Sequence, residues 1–376
     1  MSDAHLIVVG GGIGGAAAAL RAAQYELDTV WILGDRRVDG ASRAAYVLNI
    51  DNMLGVHPAI VQDRIVAVLG REHPEAARAA AEQHLHISAR DLVANARARI
   101  AAEHAGRVRL VEDRAVGADR EEDRFRIRTA RGEELAAASV ILSTGVMDRQ
   151  PVVHKRRGDR EIAGIHWVFP YANQETLLYC VRCEGHLTRG RRVALLGAGD
   201  AAAEVALMVR ERYGVDVAVL TGGEPIAWSE ERGRLLGLEG IAVREERIVE
   251  VEGADRGATL RGFTLGDGTR VEVDIAIVAM GLYRVYNDLA RALGADLEGG
   301  DASPELRHVL VDRRGETSVP GLFAIGDMAR GRHGPLMKQI YTAQEYAVRA
   351  VDTIDSRRRR ALRAALLAAG AGKRDR

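Results

Sequence analysis

The stretch Tyr179–Glu204, YCVRCEGHLTRGRRVALLGAGDAAAE, decides how this chain is read. It opens with the only two cysteines of the protein, Cys180 and Cys183, spaced Cys-x-x-Cys. A short basic turn leads into an apolar run, Val193–Leu196, and then into Gly197-Ala198-Gly199-Asp200-Ala201-Ala202. Strand, glycine turn and helix in that order mark a dinucleotide-binding unit, because the turn brings a helix N-terminus and free amides up to a pyrophosphate. Ala202 stands where a third glycine is usual, a tolerated variant. Two cysteines just ahead of such a loop point to a redox dithiol. A zinc site needs four ligands and there is no second cysteine pair; a pair of inert buried thiols is the other reading. Glu184, directly after Cys183, is placed to trade protons with a thiolate. Arg182 and His186 either lower a thiol pKa or are surface charges.

The same pattern starts the chain. Leu6–Val9 reads as a buried parallel strand, followed by Gly10-Gly11-Gly12-Ile13-Gly14-Gly15 and an alanine-rich helix to about Gln24. Gly10 permits the tight turn, Gly12 the approach of a pyrophosphate, and Gly15 the close packing of helix on strand. A second strand, Thr29–Leu33, ends in Gly34-Asp35. Asp35 falls about 20 residues on, where a ribose-binding carboxylate is expected; a solvated turn residue is the alternative.

At 376 residues the chain has room for two domains. Its 53 basic and 53 acidic residues balance, which argues against bulk attraction to nucleic acid or membrane. The apolar runs are strand-sized, short of the ~18 residues of a membrane span. Met1–His5 leads directly into a strand with no room for a signal peptide, so the cytoplasm is the expected location. In that compartment a Cys-x-x-Cys pair is catalytic or metal-binding rather than a structural staple.

Between the two glycine loops, Val56–Ile87 reads as helical and carries His73, His84 and His86. His84 and His86 do not share a helix face, and no metal site is expected. Ser88 caps a helix from Ala89 to about Ala105, with Asp91 at its third position. Strands follow at Val108–Val111, Phe125–Thr129 and Val140–Leu142, the last ending in Ser143-Thr144-Gly145. The charged stretch Asp148–Arg160, with Pro151, reads as a hinge linker. Beyond the second loop, the strand Val215–Leu220 ends in Thr221-Gly-Gly-Glu224-Pro225. No arginine follows there until Arg232, and Glu224 would repel a 2′-phosphate, so NADH is favoured over NADPH. A hairpin, Phe263–Asp274, turns at Asp267-Gly268 and precedes the buried strand Ile275–Ala279. The strand Gly321–Ile325 ends in Gly326-Asp327, and Lys338-Gln339-Ile340 begins a helix to about Ile354. The basic, alanine-rich tail Arg357–Arg376 reads as a solvated helix and frayed end.

Together these segments resemble the low-molecular-weight thioredoxin reductase family of flavoproteins. The resemblance rests on Gly10–Gly15, Asp51-Asn52-Met53-Leu54-Gly55, Ser143–Gly145 and Cys180-Val-Arg-Cys183-Glu184-Gly185. It continues through Gly197–Ala202, Gly326-Asp327 and Lys338–Ile340, in the family's order over most of the chain. It implies an α/β fold of two Rossmann-like, three-layer ββα dinucleotide-binding domains, the second inserted into the first. The FAD domain would comprise 1–155 and 284–376, and the pyridine-nucleotide domain with the dithiol 156–283. By the same resemblance Asp327 holds the FAD ribityl chain, Lys338-Gln339-Ile340 face the flavin pyrimidine edge, and Asn52, Thr144 and Gly145 line the FAD site. Cys183 would be the sulfur facing the flavin, and Cys180 the one that attacks a partner.

Three departures stand out. The arginine-rich NADPH signature is missing, Val56–Ile87 is longer than the family's connection, and Asp39-Gly-Ala-Ser42 replaces a glycine-glycine-glutamine stretch. The implied activity is a FAD-dependent disulfide reductase, with electrons passing from NAD(P)H through FAD to Cys180–Cys183. From there they would reach a thioredoxin-like protein or a small disulfide, in a homodimer without nucleic-acid or membrane partners. Two alternatives remain: a flavoenzyme independent of pyridine nucleotide (ferredoxin-linked, or a dithiol oxidase using oxygen) and a non-catalytic redox sensor.

Overall fold

A computed structural model describes residues 4–35, 43, 47, 49–50, 52–54, 74–75, 87–157, 160–172, 174–254 and 259–371. The segment expected to be helical, Val56–Ile87, therefore lies outside the described residues except at Pro74, Glu75 and Ile87; so do His73, His84, His86, Asp51 and Asp39–Ser42. The chain gathers into two compact units, Met1–Met147 with Arg284–Arg376, and Asp148–Tyr283.

In the first unit, β1 (Ala4–Val9), α1 (Ile13–Gln24), β2 (Thr29–Ile32), α2 (Ala89–Glu103) and β3 (Val108–Val111) come in sequence. After them come β4 (Ala115–Glu121), β5 (Arg124–Thr129) and β6 (Glu134–Leu142). The parallel strands run in the order β3-β2-β1-β6, and the late strand Leu322–Ala324 pairs parallel with the end of β6. Alternate residues of these strands, Leu6 and Val8 of β1 among them, face a helical layer. That layer is α1, α2 and the C-terminal helix, which meets the sheet through Ala347, Ala350, Val351 and Ile354. The spacing i, i+3, i+4, i+7 makes one apolar stripe. α1 contributes Ala16, Ala18, Ala19, Ala22 and Ala23 to that core, small side chains that let it lie close to the strands. α2 is fixed at its start by a reciprocal cap: Ser88 Oγ accepts from the Asp91 amide at 3.2 Å, and the Asp91 carboxylate from the Ser88 amide at 2.8 Å.

Beyond β6 the same sheet continues antiparallel through β5 to β4. β5 alternates buried Phe125, Ile127 and Thr129 with exposed Arg126 and Arg128. β6 starts at Glu134, so the expected Val140–Leu142 is only its buried end, and β4 gave no apolar signal in AVGADRE.

The second unit repeats the plan. Its parallel sheet has the order Leu177–Leu178, Ile275–Val278, Val193–Leu196, Val217–Leu220, Ala242–Arg244. Val193, Leu195, Val217, Val219, Ile275 and Ile277 join the helical core under Asp200–Tyr213 and Glu230–Leu238. Their neighbours Ala194, Leu196, Leu220, Ala276 and Val278 face the opposite core, with Val153, Phe263 and Leu265. Fully buried strands with both faces covered read as continuous aliphatic runs, as these do. The expected hairpin is present as Thr259–Leu265 with Arg270–Glu272, joined on its other side by Ile248–Ala254.

Two expectations need correction. The charged segment Asp148–Arg160 is not a free linker: Val153–Arg157 pairs antiparallel with Arg160–Gly164, and Val153 is buried in the second unit's core. The last helix does not stop near Ile354 but runs unbroken from Ile340 to Ala371. Arginine and alanine are strong helix formers, so the tail needs no core to continue the spiral. Among the described residues no helix is long and apolar enough to cross a membrane, and no group of His, Cys, Asp or Glu is set to hold a metal.

Phe323 is fully buried under the helical layer. Phe323→Ala is expected to lower the unfolding free energy by about 3–5 kcal/mol. Leu238→Ala, exposed at the end of the helix Glu230–Leu238, should change it by no more than about 0.5 kcal/mol. Urea titration of both variants checks the pair.

Candidate active site

The first unit assembles its expected site residues around one turn. Gly10 has φ +125°, and a Cβ there would meet the Ser143 carbonyl oxygen at 2.2 Å. A Cβ on Gly15 would stand 1.9 Å from the Gly10 oxygen, the same oxygen that accepts from the Trp31 indole N–H at 2.9 Å. Gly14 lies against the Ser143 side chain and Ile325. At Gly12, by contrast, a Cβ would meet nothing within 4 Å. Gly12 caps α1 without a side-chain hydrogen bond, and no acid stands in the helix's first turn. An open cradle with uncapped amides and no negative charge suits a pyrophosphate, so these residues fit the dinucleotide that the motif implies. Ile13 packs in a small cluster with Ile50 and Ala89, against which Ile340 is set. Asp35 is partly buried, two residues beyond Leu33, whose carbonyl faces Gly11.

Around that turn the other expected residues converge. Ser143 donates its amide to Val9 at 2.7 Å, which sets Thr144 and Gly145 at the end of β6. The Thr144 hydroxyl is taken up by the Tyr286 carbonyl at 2.5 Å and lies 3.1 Å from the Met328 sulfur. Thr144 thus ties the loop to the segment carrying Gly326-Asp327. Asn52 donates to the Gln339 side chain at 2.8 Å. Lys338 Nζ donates to the backbone oxygens of Asp327, at 2.8 Å, and of Ala329. The Asp327 carboxylate accepts from Arg43 at 2.6 Å, a partner that sequence reading missed because the two are 284 residues apart. Burial pushes the Lys338 amine down to about 8, against the pull of Asp327 and with a push from Arg43.

In the second unit Cys180 and Cys183 are joined as a disulfide, with Cα atoms 5.3 Å apart. Cys180 is the N-cap of the short helix Val181–Glu184, and its sulfur accepts from the Cys183 amide at 3.2 Å. Glu184 reaches back: its carboxylate accepts from the amides of Cys180 at 3.2 Å and Tyr179 at 3.3 Å. The Tyr179 hydroxyl donates to Gln150 at 2.5 Å. Both cysteines and Glu184 are partly exposed. Tyr179 and Val181, on either side of Cys180, line a cavity of about 180 Å³. Its other walls are Ala201 and Val205 of the helix after the second glycine loop, Ile277–Leu282, and Asp148.

The second loop is built like the first but differently charged. A Cβ on Gly197 would meet the Ala279 oxygen at 2.6 Å, while Gly199, the helix N-cap, is open. Asp200 sits in that helix's first turn, where its carboxylate accepts from the Ser229 amide at 2.8 Å and pairs with Arg232 at 3.3 Å. Arg232 also pairs with Glu204. Glu224 is held by Arg149, an ion pair the sequence did not disclose. A further cation, Arg247, arrives from beyond the next strand. Its side chain lies along Gly223, where a Cβ would be 2.5 Å from Arg247 Cγ. The expectation that no arginine precedes Arg232 at this loop is true of the sequence but not of the space around Gly223.

A family model described as pyridine nucleotide-disulphide oxidoreductase matches residues 4–347. The ferredoxin–NAD(+) reductase component of the biphenyl dioxygenase system of Paraburkholderia xenovorans strain LB400 is 30% identical over 208 residues, 53% of this chain and 45% of that protein. An alkyl hydroperoxide reductase component of Xanthomonas campestris pv. phaseoli is 27% identical over 334 residues, 86% of this chain and 52% of that protein. The chain spans about half the length of the curated relatives it matches. Among solved structures, HlmI superposes with a TM-score of 0.73 at 20% identity, covering 99% of this chain and 97% of that one. Thioredoxin reductase from Streptococcus pyogenes MGAS5005 gives 0.71 at 17% identity, covering 94% and 97%. These two likenesses are of fold: mixed α/β with two dinucleotide-binding domains.

The depressed Lys338 has a signed consequence. Between about 8 and its ordinary 10.5 the folded chain binds fewer protons at this amine than the unfolded chain does. Stability therefore rises with pH across that window. In Lys338→Met that part of the slope should vanish, as urea midpoints of the two proteins between pH 7.5 and 10.5, about the same window, will show.

Proposed function

Because the chain belongs to the pyridine nucleotide-disulphide oxidoreductase family, we propose that it is a FAD-dependent disulfide reductase acting on a thioredoxin-like protein or a small disulfide. Its membership implies FAD and a nicotinamide dinucleotide; our reading assigns FAD to the first unit and NADH to the second. One observation carries it: residues flanking Cys180 and the helix behind the second glycine loop wall the same cavity. A redox disulfide and a dinucleotide loop in one compact unit support a nicotinamide-driven disulfide reductase.

When bound, FAD supplies a two-electron relay between nicotinamide and disulfide. Gly10–Gly15 and the N-terminus of α1 would hold its pyrophosphate, with Asp35 toward the ribose. Asn52, Thr144, Gly145, Gly326, Asp327, Lys338, Gln339 and Ile340 would hold the flavin end. Gly197, Gly199, Asp200 and Ala201 would receive the nicotinamide dinucleotide. Reduction breaks the Cys180–Cys183 bond, adding two electrons and two protons to the sulfurs. Glu184, tied to the Cys180 amide, hands over one of those protons. Cys180 then passes its proton to Glu184, attacks the partner's disulfide as a thiolate, and releases one partner sulfur, which takes that proton and leaves as a thiol. Cys183 attacks Cys180 in the mixed disulfide, restoring the internal bond and freeing the partner as a dithiol. NADH is our choice of donor because Glu224 stands at the loop and Arg232 is committed to Asp200 and Glu204. We further read the working form as a homodimer.

A second reading is favoured by the same charges. With Asp200 in the first turn of the second loop's helix, pyridine nucleotide is dispensable. Electrons then come from ferredoxin, or from a small dithiol that is oxidised to its disulfide while oxygen is reduced to hydrogen peroxide. Anaerobic titration separates the two. NADH should bleach the bound flavin and then fill the sulfurs with a second electron pair, and Cys180→Ser should take up only the first. Failure of both NADH and NADPH to bleach, with oxygen consumed when dithiothreitol is the donor, overturns the first reading for the second. Arg247→Ala should weaken NADPH binding about tenfold, by the loss of one charge-assisted contact, and leave NADH unchanged; calorimetry with each dinucleotide checks this.

A further inference from the structure

The last seventeen residues of the C-terminal helix, Asp355 to Ala371, continue past the core. Ile354 is the last buried side chain, and each residue from 359 to 369 is exposed. At about 1.5 Å per residue the helix runs ~25 Å beyond that point. Its outer turns carry an apolar stripe, Leu362, Ala365, Leu366 and Ala369, at i, i+3, i+4, i+7. Leu362 is 51% and Leu366 73% exposed. No described residue of the chain covers them.

The charges on this segment are not those of the rest of the protein. Arg357–Arg376 holds eight arginines and lysines and one aspartate. The whole chain has 53 of each sign, so the preceding 356 residues carry 45 basic and 52 acidic. A neutral protein is thus an acidic body with a strongly basic arm. Arg357 pairs with Glu316 and Arg359 with Asp355, which fixes the base of the arm. Arg363 joins Leu362 and Leu366 on the outer turns, while Arg358 lies nearer the body, within electrostatic reach of His5. An unbroken helix cannot bend back to bring this stripe onto its own root, and among the described residues nothing else covers it. A second arm is a poor match, because arginine rows would meet arginine rows. The acidic body of another copy offers the opposite sign at the same concentration.

We propose that this arm docks on the acidic body of a second copy of the chain, with the exchange reciprocal about a twofold axis. This rests on the homodimer reading and names its interface. Leu362 and Leu366 supply the buried centre, and the arginines supply orientation and salt sensitivity.

Sedimentation of the full FAD-loaded protein at low and high salt tests it, beside a chain ending at Arg360 and a full-length Leu362→Glu/Leu366→Glu variant. Both variants spare the buried helix face, and a single cooperative thermal transition will confirm that they fold. The expected result is a dimer at low salt whose dissociation constant rises at least about tenfold (~1.4 kcal/mol) at high salt and in both variants. A full-length protein that is monomeric at low salt overturns the homodimer reading and the interface together. A dimer that survives both variants leaves the homodimer intact and overturns the arm as its interface. So does an arm-dependent species that forms only with anionic vesicles or nucleic acid.

Discussion

At the first glycine turn the backbone of the chain crosses itself with no room for a methyl group. A Cβ on Gly15 would stand 1.9 Å from the Gly10 oxygen, and one on Gly10 2.2 Å from the Ser143 oxygen. That contact locks three segments, α1, the end of β1 and the end of β6, which lie up to 133 residues apart from Gly10 to Ser143. Trp31 closes it from β2 by donating to the same Gly10 oxygen. From Ser143 the chain of fixed contacts runs on through Thr144 to Tyr286 and Met328. It ends at Asp327, where Arg43 and Lys338 meet. Thr144, Asp327 and Lys338, all expected at the flavin end, are thereby positioned from one steric constraint. Replacing Gly15 would move the helix before it removed any contact to a ligand.

The second unit solves the same problem more loosely, and the difference explains a substitution. A Cβ on Gly197 would lie 3.1 Å from the Ala202 Cβ and 2.6 Å from the Ala279 oxygen. The helix there is held far enough from the turn for a methyl group at the third fingerprint position. Ala202 is fully buried and fills that space. The variant glycine pattern is therefore a packing choice, and by itself it says nothing against dinucleotide binding. What sets the second loop apart is charge, through Asp200, Glu204 and Glu224 with their arginine partners.

Local features of the sequence carried much of this architecture. Aliphatic runs marked the buried strands, glycine patterns marked both turns, and Ser88 with Asp91 marked a helix start. One polar strand escaped notice: β4 is held by its neighbour β5, and its own residues do not announce it. The strand pair Val153–Arg157 and Arg160–Gly164 looked like a linker for the same reason, since it is rich in charge and, among its described side chains, only Val153 is buried. The site's electrostatics were the least legible part. Arg43 with Asp327, Arg149 with Glu224, and Arg247 with Gly223 join segments remote in sequence. An arginine count along one loop cannot find a cation delivered by the next strand.

The geometry at the dithiol bears on which sulfur should exchange with a partner. Cys180 occupies a helix N-cap and receives the Cys183 amide on its sulfur at 3.2 Å. A donor aimed at a sulfur favours its thiolate, as does a cap position ahead of a helical turn. Cys183 lies inside that turn, where its own amide is the donor rather than a recipient. When the bond opens, negative charge is therefore better accommodated at Cys180, which supports the proposed order of attack. Glu184 complicates this in a useful way. Its carboxylate accepts from the Cys180 amide, so a charged Glu184 would oppose a thiolate one residue from its anchor. Relief comes if the carboxyl is protonated as the sulfur is not, and this couples the two groups to a single proton. In the proposed cycle Glu184 is therefore both held by backbone hydrogen bonds and the acid that trades a proton with Cys180. Glu184 reaches back across the turn far enough to accept from both the Tyr179 and the Cys180 amides.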